Sequence, residues 1–362
     1  MRQMTVRDLW NNIMHYGQFD RMPAAHWAGW PETRERWIRE GMPANANEHQ
    51  FLGAVPHWTF VGVNLNLYPA FEEEIYEETE EYKVYRAQDG VVQKAWKGKE
   101  SIPHYMDFTL KSAADWDNYK RRLQPDAGRI PADIQERIDR AEDSGMFIAI
   151  EVTSLMGWIR NWMGLEGMSY LMYDNPEVYA DMVDTLANLS CWAIDQVVPR
   201  MKTRPDMSFG WEDICGSSGP LVSPAIFKRC VAPGYTKVRN KLEEYGVKLQ
   251  GIDSDGDIKD LVKPWLDAGV NTFFPIEIGK WGADPMQYRR QYGREMRIIG
   301  GFNKGVLEEN PAAIDAEIER RLPLMKQGGY VVMPDHLITP GTSLDNYRYY
   351  LQRVGTLCLD CI

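Results

Sequence analysis

The stretch KLQGIDSDGD, Lys248 to Asp257, sets Asp253, Asp255 and Asp257 within five positions at the end of an apolar run. Ionised carboxylates that crowded repel one another, so the pattern calls for a bound cation, a raised pKa or a helix to cap. If a strand continues through Asp253 and Asp255, both side chains take one face, with Cα atoms roughly 6.5–7 Å apart. Asp257 precedes the helical pattern IKDLVKPWLDAG and reads as its cap; Asp255 has the same alternative. Other apolar runs also end in groups that do chemistry. FIAIE ends in Glu151, SFGWED in Glu212 and Asp213, and FFPIE in Glu277. IIGGFNK ends in Asn303 and Lys304, and VVMPDH in Asp335 and His336. Asp253, Asp255 and His336 would make an oxygen-rich metal site, with Glu212 as a fourth ligand or a general acid/base. Such donors suit Zn, Mn or Fe(II) better than a soft, thiophilic ion. Glu151 and Glu277 are either ligands or partners of backbone amides, and with Lys304 they are placed among the substrate-binding residues. Lys304 either binds an anion or merely lies on the next helix. Asp20 and Arg21 read as a local ion pair near the first strand.

For these groups to meet, parallel strands must lie side by side. Six β-like runs from about residue 145 onward alternate with helical patterns, which implies a parallel sheet with helical crossovers. The helical pattern SPAIFKRCVAPGYTKVRNKLEEYG starts with Ser223 as N-cap and Pro224 in the first turn, and stops at Gly246. Met22 to Gly29 and Phe60 to Leu67 supply two earlier strands. Eight strands predict an α/β fold of the (β/α)8 TIM-barrel type, whose working groups sit at the C-terminal strand ends. A doubly wound open sheet is the alternative, but no G-x-G-x-x-G or Walker loop follows any strand. Residues 72–108 break the rhythm. They read as an antiparallel hairpin insertion turning at Asp89-Gly90, with the acidic run Glu72 to Glu81 facing water. The expectation is one domain over residues 1–362.

A chain of 362 residues that is 44% hydrophobic and 26% charged can bury a large core. A net charge of -11 argues against nucleic acid or an anionic membrane as the main partner. No apolar run is long enough to span a bilayer, and the N-terminus lacks a signal-like core, so a cytoplasmic enzyme is expected. Five scattered cysteines do not suggest a disulfide framework, and Cys358 and Cys361 read as ordinary tail thiols. The 13 Trp and 18 Tyr include Trp27, Trp30 and Tyr68 which, with Phe71, would wall a substrate pocket.

Several motifs occur together and in order: DRMPAAHW, SLMGWIRNWMGLEGM, GPLVSPAIFKRCVAPGYTKV, DSDGDI, IIGGFNK and DHLITPGTSLDNYRYYLQRV. Jointly they resemble the uroporphyrinogen decarboxylase superfamily over nearly the whole chain. The resemblance implies a (β/α)8 barrel with its site at the C-terminal mouth. The decarboxylase branch binds carboxylates through an arginine-rich N-terminal loop and uses an aspartate near the second strand. Here His26 and Trp27 stand in the loop, and Asn64 and Asn66 where the aspartate belongs. The methyltransferase branch carries zinc on a His-x-Cys-Gly strand end and a last-strand cysteine. Asp253, Asp255 and Gly256 fall on the first motif, and His336 falls on the cysteine.

The resemblance therefore implies a methyltransferase in corrinoid-linked methyl transfer or demethylation. A divalent metal such as zinc would be its cofactor. A methyl-corrinoid on a partner protein would be its co-substrate; the oligomeric state stays open, with a homodimer as one option. Carboxylates in place of thiolates make the ion harder, which favours an oxygen of a methoxylated or hydroxylated substrate, or water, over a thiol. A metal-free decarboxylase or lyase is the second reading. A non-catalytic corrinoid- or tetrapyrrole-binding module is the third.

Overall fold

The computed structural model describes residues 4–98 and 103–359. Seven parallel strands form one sheet in the order Tyr330–Val331, Arg297–Gly300, Thr272–Ile276, Leu249–Asp253, Met207–Trp211, Ile148–Glu151 and Thr59–Val61. Ala25–His26 pairs with Val55–Pro56, which runs directly into Thr59–Val61. On its other side, Trp30 N–H donates to the Ile338 carbonyl at 3.0 Å, and Ile338 N–H donates to Ala28 at 3.1 Å. The first strand thus joins both ends of the sheet, and the barrel closes. The strands read as apolar runs because both faces are covered: Ile148, Ala149 and Ile150 are all buried.

Long helices wrap the outside, among them Pro176–Val197, Ala232–Glu244, Pro311–Gln327 and Leu344–Thr356. Ser223 caps its helix as expected, accepting from Ile226 N–H, and Gly246 takes a left-handed turn at φ 71°. Between them the helix widens into a π turn at Phe227–Val231, just ahead of Pro233, which has no N–H to continue the ladder. The helix Val6–Met14 plugs the N-terminal end of the barrel. Its Trp10 ring packs 5.5 Å from Phe147 and 6.1 Å from Trp58, and Arg7 holds Asp206 at 2.8 Å. Asp20 and Arg21 form the expected ion pair at 3.0 Å. No helix among the described residues is long and apolar enough to cross a membrane.

Three expectations need correction. The second barrel strand ends at Val61 and does not run from Phe60 to Leu67. Val63, Leu65 and Leu67 keep the alternating burial of a strand, but Asn64 and Tyr68 N–H donate to the helix-end carbonyls of Arg129 and Arg122 instead. The insertion is a four-stranded antiparallel sheet, Glu74–Glu78, Tyr82–Arg86, Val91–Trp96 and His104–Phe108, not a single hairpin. Asp89-Gly90 does form its central turn, with Gly90 at φ 85°. The outer strand Glu74–Glu78 is exposed throughout, and its charges suit a sheet edge that must not pair further. In the tail, Cys358 is disulfide-bonded and not an ordinary thiol; Cys361 lies outside the described residues.

Candidate functional site

The fifth strand ends at Asp253, and the chain leaves it through Ser254, Asp255 and Gly256. Gly256 has φ 85°, and a Cβ there would meet the Cys215 carbonyl oxygen at 2.5 Å, so the turn is built on a glycine. The turn ends the strand's alternation, and Asp255 parts company with Asp253. Asp255 Oδ2 lies 3.1 Å from His336 Nε2. Glu277 enters from the end of the sixth strand, where one of its oxygens accepts from Gly256 N–H at 2.8 Å. One ligand atom each from Asp255, Glu277 and His336 lies within 4.8 Å of the others. Asp255 Oδ1 is buried without a hydrogen-bond partner. A buried carboxylate oxygen left bare, beside another carboxylate and an imidazole, is the donor set a divalent cation satisfies. The residues present therefore fit the implied metal, with Glu277 as the ligand that sequence reasoning had given to substrate. Asp257 lies one residue before the N-cap position, which is Ile258, and accepts from Lys259 N–H, the first of the helix, at 3.2 Å.

Asp253 is not in this group. Strand pairing sets it between Trp211 and Phe274, and all three line a cavity of about 350 Å³ in the barrel mouth. Burial raises the Asp253 pKa well above the usual carboxylate range, and repulsion from Asp255, Asp213 and Glu277 adds to the rise. Burial also raises Glu277 and Asp213. Glu151 faces the same cavity, and the protein packed around it raises its pKa too. Seven Trp and Phe side chains wall the cavity, including Trp27, Trp58, Phe60 and Phe274. Trp27 bridges the two halves of the site, with its ring 4.8 Å from Phe274 and 5.7 Å from His336.

Glu212 is not positioned for acid–base work or ligation. It is 1% exposed and accepts from Ser154 Oγ and from the backbone N–H groups of Leu155, Met156 and Gly157, at 2.6–3.1 Å. These donors open the helix Gly157–Asp174, whose own N-cap residue supplies no side-chain bond. A carboxylate there answers the positive end of the helix. Asp335 is also structural. Its two oxygens accept from Ile278 N–H and Lys304 N–H, both at 3.0 Å, tying strand ends six to eight together beside His336.

Trp30 stacks over His336 with ring centroids 6.4 Å apart and stands at the rim. Lys304 lies close enough for its charge to offset part of the rise at Glu277. Tyr68 lines a separate outer cleft of about 770 Å³ beneath the insertion sheet, which meets the inner cavity at Trp158. Phe71 lines neither. Its ring packs 5.2 Å from Tyr119, under the Arg122 guanidinium at 4.0 Å, so its placement in the pocket is corrected.

Sequence reasoning missed most of the aromatic wall. Phe209 and Trp211 alternate inward along the fourth strand, a signal available in MSFGWED but passed over for its acidic end. His57, also in the wall, was missed. Burial pushes its pKa down to about 4 from 6.5. His57 therefore stays neutral in the folded chain while the unfolded chain takes up a proton as pH falls below 6.5. That drains stability on acidification, reaching about 3 kcal/mol near pH 4. Urea unfolding at pH 7 and pH 4.5 should show this loss in the wild type and a shallower one in His57→Gln.

A closed (β/α)8 barrel with its ionisable groups gathered at the C-terminal strand ends defines the structural class. The sequence profile of uroporphyrinogen decarboxylase (URO-D) matches residues 155–357, more than half of the chain, and this chain belongs to that family. Among solved structures, the fold is similar to that of a methyltransferase from Methanosarcina mazei, with TM-score 0.63 and 13% identity over 97% of this chain and 98% of that one. KGPDC from Streptococcus mutans aligns with TM-score 0.25 and 14% identity over 57% of this chain and 85% of that one. No curated protein sequence matches.

Proposed function

We propose that this URO-D family member is a methyltransferase that removes a methyl group from a small molecule and passes it to a corrinoid presented by a partner. The observation that carries this reading is the meeting of Asp255, Glu277 and His336 beside an aromatic cavity at the barrel mouth. A divalent metal held by those three residues would supply Lewis acidity toward an oxygen of the bound reactants. The other residues bind and orient the reactants. The aromatic wall gives the methyl-bearing group an apolar seat at the barrel mouth and shields part of it from water. Trp27 spans the cavity and the His336 side of the site, so it sets where the two reactants meet. In the transfer, the bond from heteroatom to methyl carbon breaks and its electron pair stays on the heteroatom. The electron pair of the reduced corrinoid forms the new bond to carbon.

A decarboxylase is disfavoured by the cavity itself. Its lining holds Glu151 and Asp253 but no lysine or arginine, so a carboxylated substrate would find no counter-charge there. The test is methyl transfer from small methylated compounds to free cob(I)alamin, followed by the corrinoid's visible spectrum. Metal-loaded wild type should turn over, and Asp255→Ala with His336→Ala should not. Release of CO2 from a carboxylated compound, indifferent to chelators and without methyl transfer, would overturn the reading.

A further inference from the structure

The inner cavity combines two features that a neutral substrate leaves unexplained. Seven aromatic side chains line about 350 Å³. They interlock: Trp58 lies 4.9 Å from Phe209 and 5.2 Å from Phe274, and Phe60 lies 6.0 Å from Phe209. Into the same space project two carboxyl groups, Glu151 and Asp253, with no lysine or arginine in the lining. Neither carboxyl has a side-chain ion pair among the described residues. Arg160 approaches the Trp211 ring at 5.3 Å, but its charge is answered by Asp213 at 3.7 Å.

Aromatic side chains attract cations through the negative faces of their rings, and they do so best where water is displaced. Glu151, a carboxyl with no counter-ion in the same pocket, adds direct charge attraction once an arriving cation favours its ionised form. An onium group, with positive charge spread over methyl groups and no N–H to hydrate, matches both features. A neutral aryl ether matches only the first.

From this geometry we infer that the cavity binds a methylated onium group, a quaternary ammonium or a sulfonium, as the methyl donor. The inference rests on the proposed methyl transfer for its chemistry, while its binding test stands apart from it. The bookkeeping closes without a proton. The C–N or C–S bond breaks, its electron pair stays on nitrogen or sulfur, and the leaving group departs as a neutral tertiary amine or thioether. The methyl acceptor contributes the pair for the new bond.

The test compares choline with 3,3-dimethylbutan-1-ol, which has the same shape but carbon in place of charged nitrogen. Calorimetric titration of the full chain should show choline binding about tenfold or more tightly. Glu151→Gln and Phe60→Leu alter groups open to the cavity mouth rather than the core. Each should weaken choline by about threefold to tenfold and leave the alcohol unchanged. Tetramethylammonium and trimethylsulfonium, which carry no carboxylate, tell ammonium from sulfonium. Equal affinity for choline and the alcohol, tighter binding of guaiacol, no binding of any onium probe, or indifference to Glu151→Gln would each overturn the inference. Onium binding without turnover would count against methyl transfer alone. Turnover of neutral methyl ethers only would sink the onium inference and spare the transfer.

Discussion

Alanine at Asp255 is expected to weaken divalent-metal affinity by about a hundredfold to a thousandfold, and alanine at Asp253 by about tenfold at most. The two residues are two apart in sequence, and a continuous strand would make them equivalent. The structure separates them at the Gly256 turn. Asp255 meets His336 and Glu277 with one oxygen left bare, whereas Asp253 looks into the aromatic cavity. Removing Asp255 takes away a whole ligand, worth about 3–4 kcal/mol if a tight site's binding energy is shared among its ligands. Removing Asp253 changes only the field around the site, because its charge repels Asp255 and Glu277 without sharing their ligand geometry. Zinc titration into chelator-treated protein checks this. Equal losses in the two variants would mean that the strand alternation, not the turn, governs the site.

The second large effect is on stability. Glu212→Ala should cost about 4 kcal/mol in urea unfolding, because it leaves four donors at a helix start without their acceptor. Those donors are Ser154 Oγ and the N–H groups of Leu155, Met156 and Gly157. The approach is tight, since a Cβ on Gly157 would fall 2.1 Å from the Glu212 carbonyl oxygen. Water does not reach this pocket easily, so the lost acceptor is not simply replaced. Glu212→Gln keeps one acceptor but turns an NH2 toward other donors, and should fall between the two. A Glu212→Ala protein within about 1 kcal/mol of wild type would contradict the capping role and return Glu212 to the list of catalytic candidates.

Much of this was legible in the sequence, for a physical reason. Strands buried on both faces are short apolar runs, and helices between them carry their own caps, so the later six strands and Ser223 stood out. The polar residue ending each run then pointed to the barrel mouth. The second strand was harder, because Val63, Leu65 and Leu67 stay alternately buried after the backbone has left the sheet. Alternation reports which face is covered, not which backbone groups are paired. The site was legible as a set of strand ends but not as a geometry. Asp255 and Glu277 meet only because Gly256 turns the chain, and Glu212 is lost to the site only because a helix from the preceding crossover starts on top of it. Phe71 shows the converse case, an aromatic near the mouth in sequence whose ring is claimed by Tyr119 and Arg122.

The most direct test is elemental analysis of the purified chain after reloading with Zn, Mn or Fe(II), beside the Asp255→Ala, His336→Ala double variant. A metal centre at Asp255, Glu277 and His336 predicts about one divalent ion per wild-type chain and less than about a tenth of that in the variant. A wild type that retains no metal, or a variant that retains as much as the wild type, would contradict it.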